Sequence, residues 1–106
     1  MEELSYKVIK LIEQDAEISQ RGLSKELGIS LGKVNYCLKA LTDKGWVKVK
    51  NFKNSNNKLA YRYIITPEGV KKRAELTSHF LKRKLAEYEQ LQKEIEDLQS
   101  EVQGAD

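Results

Sequence analysis

Four side chains that can hydrogen-bond to nucleobase edges or phosphate fall close together in this chain: Lys33, Asn35, Tyr36 and Lys39. An asparagine can pair bidentately with adenine, lysines can reach guanine edges or phosphate, and a tyrosine can pack on sugar or a thymine methyl while donating its hydroxyl. At about 100° per residue, Gly32, Asn35, Tyr36 and Lys39 share one arc of a helix, while Val34, Leu38 and Leu41 form an apolar stripe on the other side. Gly32 would let a backbone approach closely. The segment Ser30–Thr42 therefore predicts a helix with a buried back and a hydrogen-bonding front.

Local signals bound this helix and place a second one ahead of it. Ser30 is a suitable N-cap and Gly45 a suitable stop. Upstream, Ser19 caps a shorter helix with Leu23 and Leu27 facing inward, and Gly28 ends it, which gives a helix-turn-helix. Ser19, Gln20 and Arg21, at the start of that helix, are placed to hold a phosphate with side chains and free amides. Leu4, Val8, Leu11 and Ile12 supply the inner stripe of a first helix.

Downstream, Trp46–Lys50 alternates apolar and basic residues as a half-buried strand does, and a second strand is expected at Ala60–Ile65. The intervening segment is rich in turn-formers and cations, so it reads as the basic tip of a β-hairpin, or wing. Lys53, Asn54, Asn56, Asn57 and Lys58, with Arg62 behind them, are the residues expected to meet a nucleic-acid backbone or minor groove there. A last helix begins at Thr66, with Pro67 at its first position and Glu68 beside the positive end of its dipole.

The whole-chain charge of +3 conceals a strong segregation. From Leu31 to Arg62 eight cations face Asp43 alone, a net +7; from Leu85 onward Lys93 faces seven acids, a net −6. The basic half suits a polyanion and the acidic half would be repelled by it. Catalysis and metal binding find no support, because the single cysteine, Cys37, and the single histidine, His79, lie on different helices and no ligand cluster or phosphate-cradling glycine loop occurs. Cys37 sits at the edge of the apolar stripe and reads as a packing residue. No cofactor is expected. With no signal peptide or bilayer-spanning apolar run, a cytoplasmic protein without membrane contact is expected.

The last helix carries a second seam. Ala74, Thr77, Leu81, Tyr88, Leu91, Ile95, Leu98 and Val102 recur in threes and fours as heptad a and d positions, broken where Lys84 falls at d beside Leu85. No proline or glycine interrupts Val70–Gln103. Such a seam calls for the same helix of a second copy, with Leu81, Leu85, Tyr88, Leu91, Ile95, Leu98 and Val102 as the dimerisation residues. In this single frame glutamates occupy g and glutamines e, which leans toward a parallel pair without deciding between parallel and antiparallel.

The run Ser30-Leu-Gly-Lys-Val-Asn-Tyr-Cys-Leu-Lys-Ala-Leu41, with Ile18–Arg21, Lys25–Ile29, Thr42–Lys48 and Thr66-Pro-Glu-Gly69, resembles MarR-type regulators associated with exopolysaccharide gene clusters. The similarity extends from about Tyr6 to Val102. It implies a bacterial winged-helix transcriptional regulator of polysaccharide production. Three departures from drug- and phenol-sensing MarR proteins limit what it implies. No long N-terminal segment precedes the first helix to form a shared dimerisation domain, the wing lacks their Asp-x-Arg pair, and Tyr36 stands where they usually place an arginine. A small-molecule effector is therefore not expected, and the base preference is not inherited.

The expected architecture is mainly α with a small β-hairpin (α+β): a winged helix-turn-helix over residues 1–66, a coiled-coil dimerisation helix over 67–103 and a disordered tail over 104–106. The expected partners are double-stranded DNA and a second copy of the chain. A winged helix can alternatively serve as a protein interaction module within a larger assembly, but that would favour exposed apolar anchors over the polar front of Ser30–Thr42.

Overall fold

The computed structural model describes residues 2–53 and 59–105, with side chains described outside residues 52–60. The elements run α1 (Glu2–Gln14), α2 (Gln20–Leu27), α3 (Leu31–Asp43), β1 (Val47–Lys53), β2 (Leu59–Ile65) and α4 (Pro67–Ala105). This is the expected mainly helical architecture with one antiparallel hairpin and a long C-terminal helix. The chain divides into two compact units, Met1–Leu76 and Thr77–Asp106, so α4 contributes its first turns to the first unit and the rest to the second. Helical backbone continues through Ala105, beyond the expected end at residue 103.

The core of the first unit is built from Val8, Ile9 and Ile12 of α1, Leu23 of α2, Val34, Cys37, Leu38 and Leu41 of α3, Val47 of β1 and Tyr63 of β2. Leu4 and Leu11, expected in the α1 stripe, are partly buried at its margin, while Ile9 is fully buried. The reason is that α1 meets α2, α3 and β2 together, so its buried arc is wider than one stripe.

The helix-turn-helix is closed by local hydrogen bonds that the sequence signals anticipate. Ser19 Oγ accepts from Gly22 N–H at 2.9 Å and Ser30 Oγ accepts from Lys33 N–H at 3.1 Å, capping α2 and α3. Gly28 ends α2 in the left-handed conformation at φ 65°. Ser24 Oγ then donates to the Ile29 carbonyl at 2.5 Å and locks the turn. At the end of α3, Gly45 adopts φ 76°, Gly45 N–H reaches the Thr42 carbonyl and Trp46 N–H reaches that of Leu41, both at 3.0 Å. That pair of bonds is a Schellman stop, which turns the chain directly into β1.

β1 and β2 pair antiparallel from Val47↔Ile65 to Lys53↔Leu59. The ladder runs three residues past the expected end of the first strand at Lys50, because a hairpin needs only backbone donors and acceptors to continue. A further bond, Tyr63 N–H to the Ala16 carbonyl at 3.0 Å, ties β2 to the loop between α1 and α2.

Thr66 joins the hairpin to α4. Its hydroxyl donates to the Gly45 carbonyl at 2.6 Å and accepts from Gly69 N–H at 3.0 Å, and its own N–H donates to the Trp46 carbonyl at 3.0 Å. Gly69 is needed for space: a Cβ there would fall 2.9 Å from Ile65 Cγ2, 3.0 Å from the Trp46 carbonyl carbon and closer still to its oxygen. Because that neighbour is backbone, Gly69→Ala should destabilise the first unit by about 1–3 kcal/mol, the cost of overpacking. Urea unfolding followed by far-ultraviolet circular dichroism measures it.

Candidate nucleic-acid interface

α3 presents the predicted front because its back is held from several sides. Val34, Cys37 and Leu41 are fully buried and Leu38 nearly so, whereas Lys33, Asn35, Tyr36 and Lys39 are exposed, Tyr36 to 72%. A Cβ at Gly32 would meet only Ser30 Oγ, at 3.9 Å, so the glycine leaves open surface beside this front. Ser30 is exposed, but its hydroxyl oxygen is engaged in the cap.

The start of α2 lies beside this surface. Arg21 is exposed, Gln20 half-buried and Ser19 occupied as a cap. These three share an open groove of about 370 Å³ with Glu17, Leu31, Tyr61 and Tyr63. A second groove, about 350 Å³, runs between α3 and the hairpin, lined by Gln20, Asn35, Leu38, Lys39, Thr42, Asp43, Val49, Tyr61 and Tyr63. The two grooves share Gln20, Tyr61 and Tyr63. Asn35, Lys39 and the predicted phosphate-holding turn thus border one continuous concave surface.

Tyr61 is the residue that sequence reasoning missed. The register pairs Val47 with Ile65, Val49 with Tyr63 and Asn51 with Tyr61, so these residues share the hairpin face that turns toward the core at Val47 and Tyr63. Farther along the same face Val49 and Tyr61 emerge into the groove, Tyr61 with 51% of its surface exposed. The period-2 alternation of β2 carried this signal. Lys48, Lys50 and Arg62 occupy the opposite face of the ladder.

Two cations of the basic segment, Arg62 and Lys44, already have local partners. Arg62 Nη2 pairs with Glu17 Oε1 at 2.6 Å, which clamps β2 to the loop before α2. Lys44 Nζ lies 4.8 Å from the centre of the Trp46 ring, and Lys72 Nζ lies 5.4 Å from it. The wing residues Asn54, Asn56, Asn57 and Lys58 lie outside the described residues, as does the side chain of Lys53.

Burial sets the protonation of two core groups. The Cys37 thiol is pushed above its ordinary value, chiefly by desolvation and against a hydrogen bond with Ser5. The Tyr63 phenol is likewise raised by burial, offset by a hydrogen bond with Gln20. A deeply buried thiol held protonated suits packing and not nucleophilic chemistry.

Residues 1–48 match a family model described as winged helix-turn-helix DNA-binding. Among solved structures, the chain is similar to a MarR/EmrR family transcriptional regulator from Acinetobacter sp. ADP1 at 21% identity, covering 92% of this chain and 73% of that one, with a TM-score of 0.60. This chain has the winged helix-turn-helix fold of MarR-type regulators. The chain is also similar to Staphylococcus aureus MepR, solved as a DNA complex, at 18% identity, covering 92% of this chain and 73% of that one, with a TM-score of 0.61. Staphylococcus aureus MarR, solved with salicylate and kanamycin, matches at 17% identity over 77% of this chain, with a TM-score of 0.58. The chain spans about half the length of that MarR, 53%. No curated protein gives a significant match to the sequence.

Cys37 and Tyr63 make the fold of this winged helix sensitive to alkali. Both groups are neutral when protonated and hold their protons more tightly when folded, so the unfolded chain ionises first. Their contribution is complete below the unfolded values and is lost as pH rises past about 9 for the thiol and about 10 for the phenol. The urea midpoint should therefore fall from pH 8 to pH 10.5, and Cys37→Ala should abolish the part of the fall that starts near pH 9.

Proposed function

We propose that the chain is a bacterial transcriptional regulator that binds double-stranded DNA, with α3 as the helix that enters the major groove. The observation that carries this reading is the division of α3 into a fully buried back and a front of exposed Lys33, Asn35, Tyr36 and Lys39. An α-helix fits the major groove of B-DNA, and these side chains suit base edges and phosphates. Asn35 and Tyr36 read bases, Lys33 and Lys39 reach guanine edges or phosphate, and Ser19, Gln20 and Arg21 hold the backbone at the start of α2. Lys53 and Lys58 of the wing engage the adjoining backbone or minor groove, with Arg62 at its base. The match of residues 1–48 to a DNA-binding family model supports this reading.

The regulator acts as a homodimer through α4 and binds a two-fold site. Its resemblance to exopolysaccharide-associated MarR proteins supports control of polysaccharide genes, in the cytoplasm of a bacterium. No cofactor or catalytic step enters the mechanism.

Selection of bound duplexes from a random pool at stated salt should enrich a palindromic sequence. On that duplex, Asn35→Ala should cost about 1–3 kcal/mol of affinity and relax the preference at one base position. Lys58→Ala should weaken all duplexes alike and lower the slope of log affinity against log salt by about one. Fluorescence anisotropy titrations measure both; unchanged affinity in both variants would refute the assignment of this face, and failure to enrich any sequence would favour a protein-binding role.

A further inference from the structure

Within the second unit, Leu81, Leu85, Tyr88, Leu91, Ile95, Leu98 and Val102 are 45–67% exposed. These side chains expose about 100 Å² each, on the order of 1,400 Å² for two copies, which is the size of a standard stable protein interface. Ile95, Leu98 and Val102 also line an open apolar groove with Gln99 and Gln103.

The seam has two frames. Its spacings are 4, 3, 3, 4, 3 and 4, so Leu81, Leu85 and Tyr88 fall at d, a and d, while Leu91, Ile95, Leu98 and Val102 fall at d, a, d and a. The repeated step of three at Tyr88–Leu91 is a stammer, an overwound point in a coil. In this assignment Lys84 leaves the seam and becomes a flanking g residue, consistent with its side-chain exposure of 77%.

We infer that α4 pairs with α4 of a second copy in antiparallel orientation, with the two-fold axis beside Leu91 and Gln92; this rests on the proposal that the chain dimerises through α4. In that register Leu81 meets Val102 of the other copy, Leu85 meets Leu98 and Tyr88 meets Ile95. Each layer then joins a d residue to an a residue, as antiparallel packing of two helices requires, and the stammer lies at the symmetry axis. Charge selects the orientation. Residues 77–86 carry Lys82, Arg83 and Lys84 with no acid, whereas residues 94–103 carry Glu94, Glu96, Asp97 and Glu101 with no cation. A parallel pair sets residues 82–84 beside their own copies and the acids at 94–101 beside theirs, with Lys84–Glu89 as its favourable flanking contact; an antiparallel pair sets each basic end against an acidic one. Flanking the seam, Lys84 faces Glu101 of the other copy, exchanging its present partner Glu87, 3.1 Å away on the same helix, for a contact between chains.

The test uses the full chain carrying single cysteines on the seam, with Cys37 retained because it is buried and the unmodified chain as control. Under mild oxidation an equimolar mixture of Leu81→Cys and Val102→Cys should give a disulfide dimer whose peptide map joins residue 81 to residue 102, while neither variant alone should cross-link. Independently, Lys84→Glu should raise the dimer Kd about tenfold, since two ion pairs become two like-charge contacts. Adding Glu101→Lys should restore Kd to within about threefold. Cross-linking of Val102→Cys with itself, or rescue of Lys84→Glu by Glu89→Lys in place of Glu101→Lys, marks a parallel pair and overturns the orientation alone. A monomer mass for the unmodified chain in sedimentation at tens of micromolar overturns dimerisation and orientation together.

Discussion

Where α3, the hairpin and α4 meet, the winged helix turns on one polar joint, the hydroxyl of Thr66. It is buried, and it spans two backbone groups from segments far apart in sequence: the Gly45 carbonyl just past α3 and the Gly69 amide in the first turn of α4. A buried hydroxyl that both donates and accepts leaves no polar group of the joint unpaired, and loss of such a group would cost about 1–3 kcal/mol for each partner stranded. The same residue's amide bonds to Trp46, so one residue ties together the base of the hairpin, the end of α3 and the start of α4. This joint lies at the base of the hairpin and the end of α3, and it uses none of the exposed side chains of the α3 front.

That separation explains how α3 can keep so polar a front. Its position depends on Val34, Cys37, Leu38 and Leu41 behind, on Ser30 at one end and on the Schellman stop at the other. None of these interactions uses the side chains of Lys33, Asn35, Tyr36 or Lys39. The front is free to vary in chemistry while the helix stays in place, which is the condition for one scaffold to serve many sequence preferences. Tyr36 illustrates it: a large aromatic side chain stands in solvent on a helix whose burial does not depend on it.

Features governed by neighbouring residues were legible in the sequence. Ser19, Gly28, Ser30 and Gly45 announced the limits of α2 and α3 because caps and left-handed stops act over three or four residues. What was not legible depended on partners distant along the chain. Leu11 reads as part of the α1 stripe and Ile9 does not, yet three elements closing around α1 bury Ile9 fully; Asn51–Lys53 likewise looked like loop until β2 supplied its ladder. Thr66-Pro-Glu-Gly69 could be quoted as a motif, but the need for glycine appears only when the Trp46 carbonyl stands against it. Tyr61 was hidden for a related reason: alternation assigns it a face of the hairpin, and only the position of α3 makes that face one side of a groove. Arg62 reads from the sequence as a wing cation aimed at nucleic acid, because its partner Glu17 lies far back along the chain, before α2.

The charge pattern illustrates a different limit, one of scale. Counting charges over Leu31–Arg62 and over Leu85 onward separates a basic half from an acidic half and directs attention to a polyanion. A shorter window reveals a second alternation inside the helical seam, three consecutive cations at 82–84 followed a few turns later by four acids at 94–101. At physiological ionic strength the screening length is about 8 Å, comparable to the spacing of two packed helices, so each charge responds mainly to what lies directly across from it. On the proposed pairing the local alternation would orient the seam, while the broader field would act on the approach of a large polyanion with many charges. Read as one unbroken heptad, the seam holds Lys84 at a core position, where it interrupts the apolar run as a defect. Divided at Tyr88–Leu91, the seam keeps its apolar continuity and leaves Lys84 at its edge, where a cation can help select the orientation of a partner.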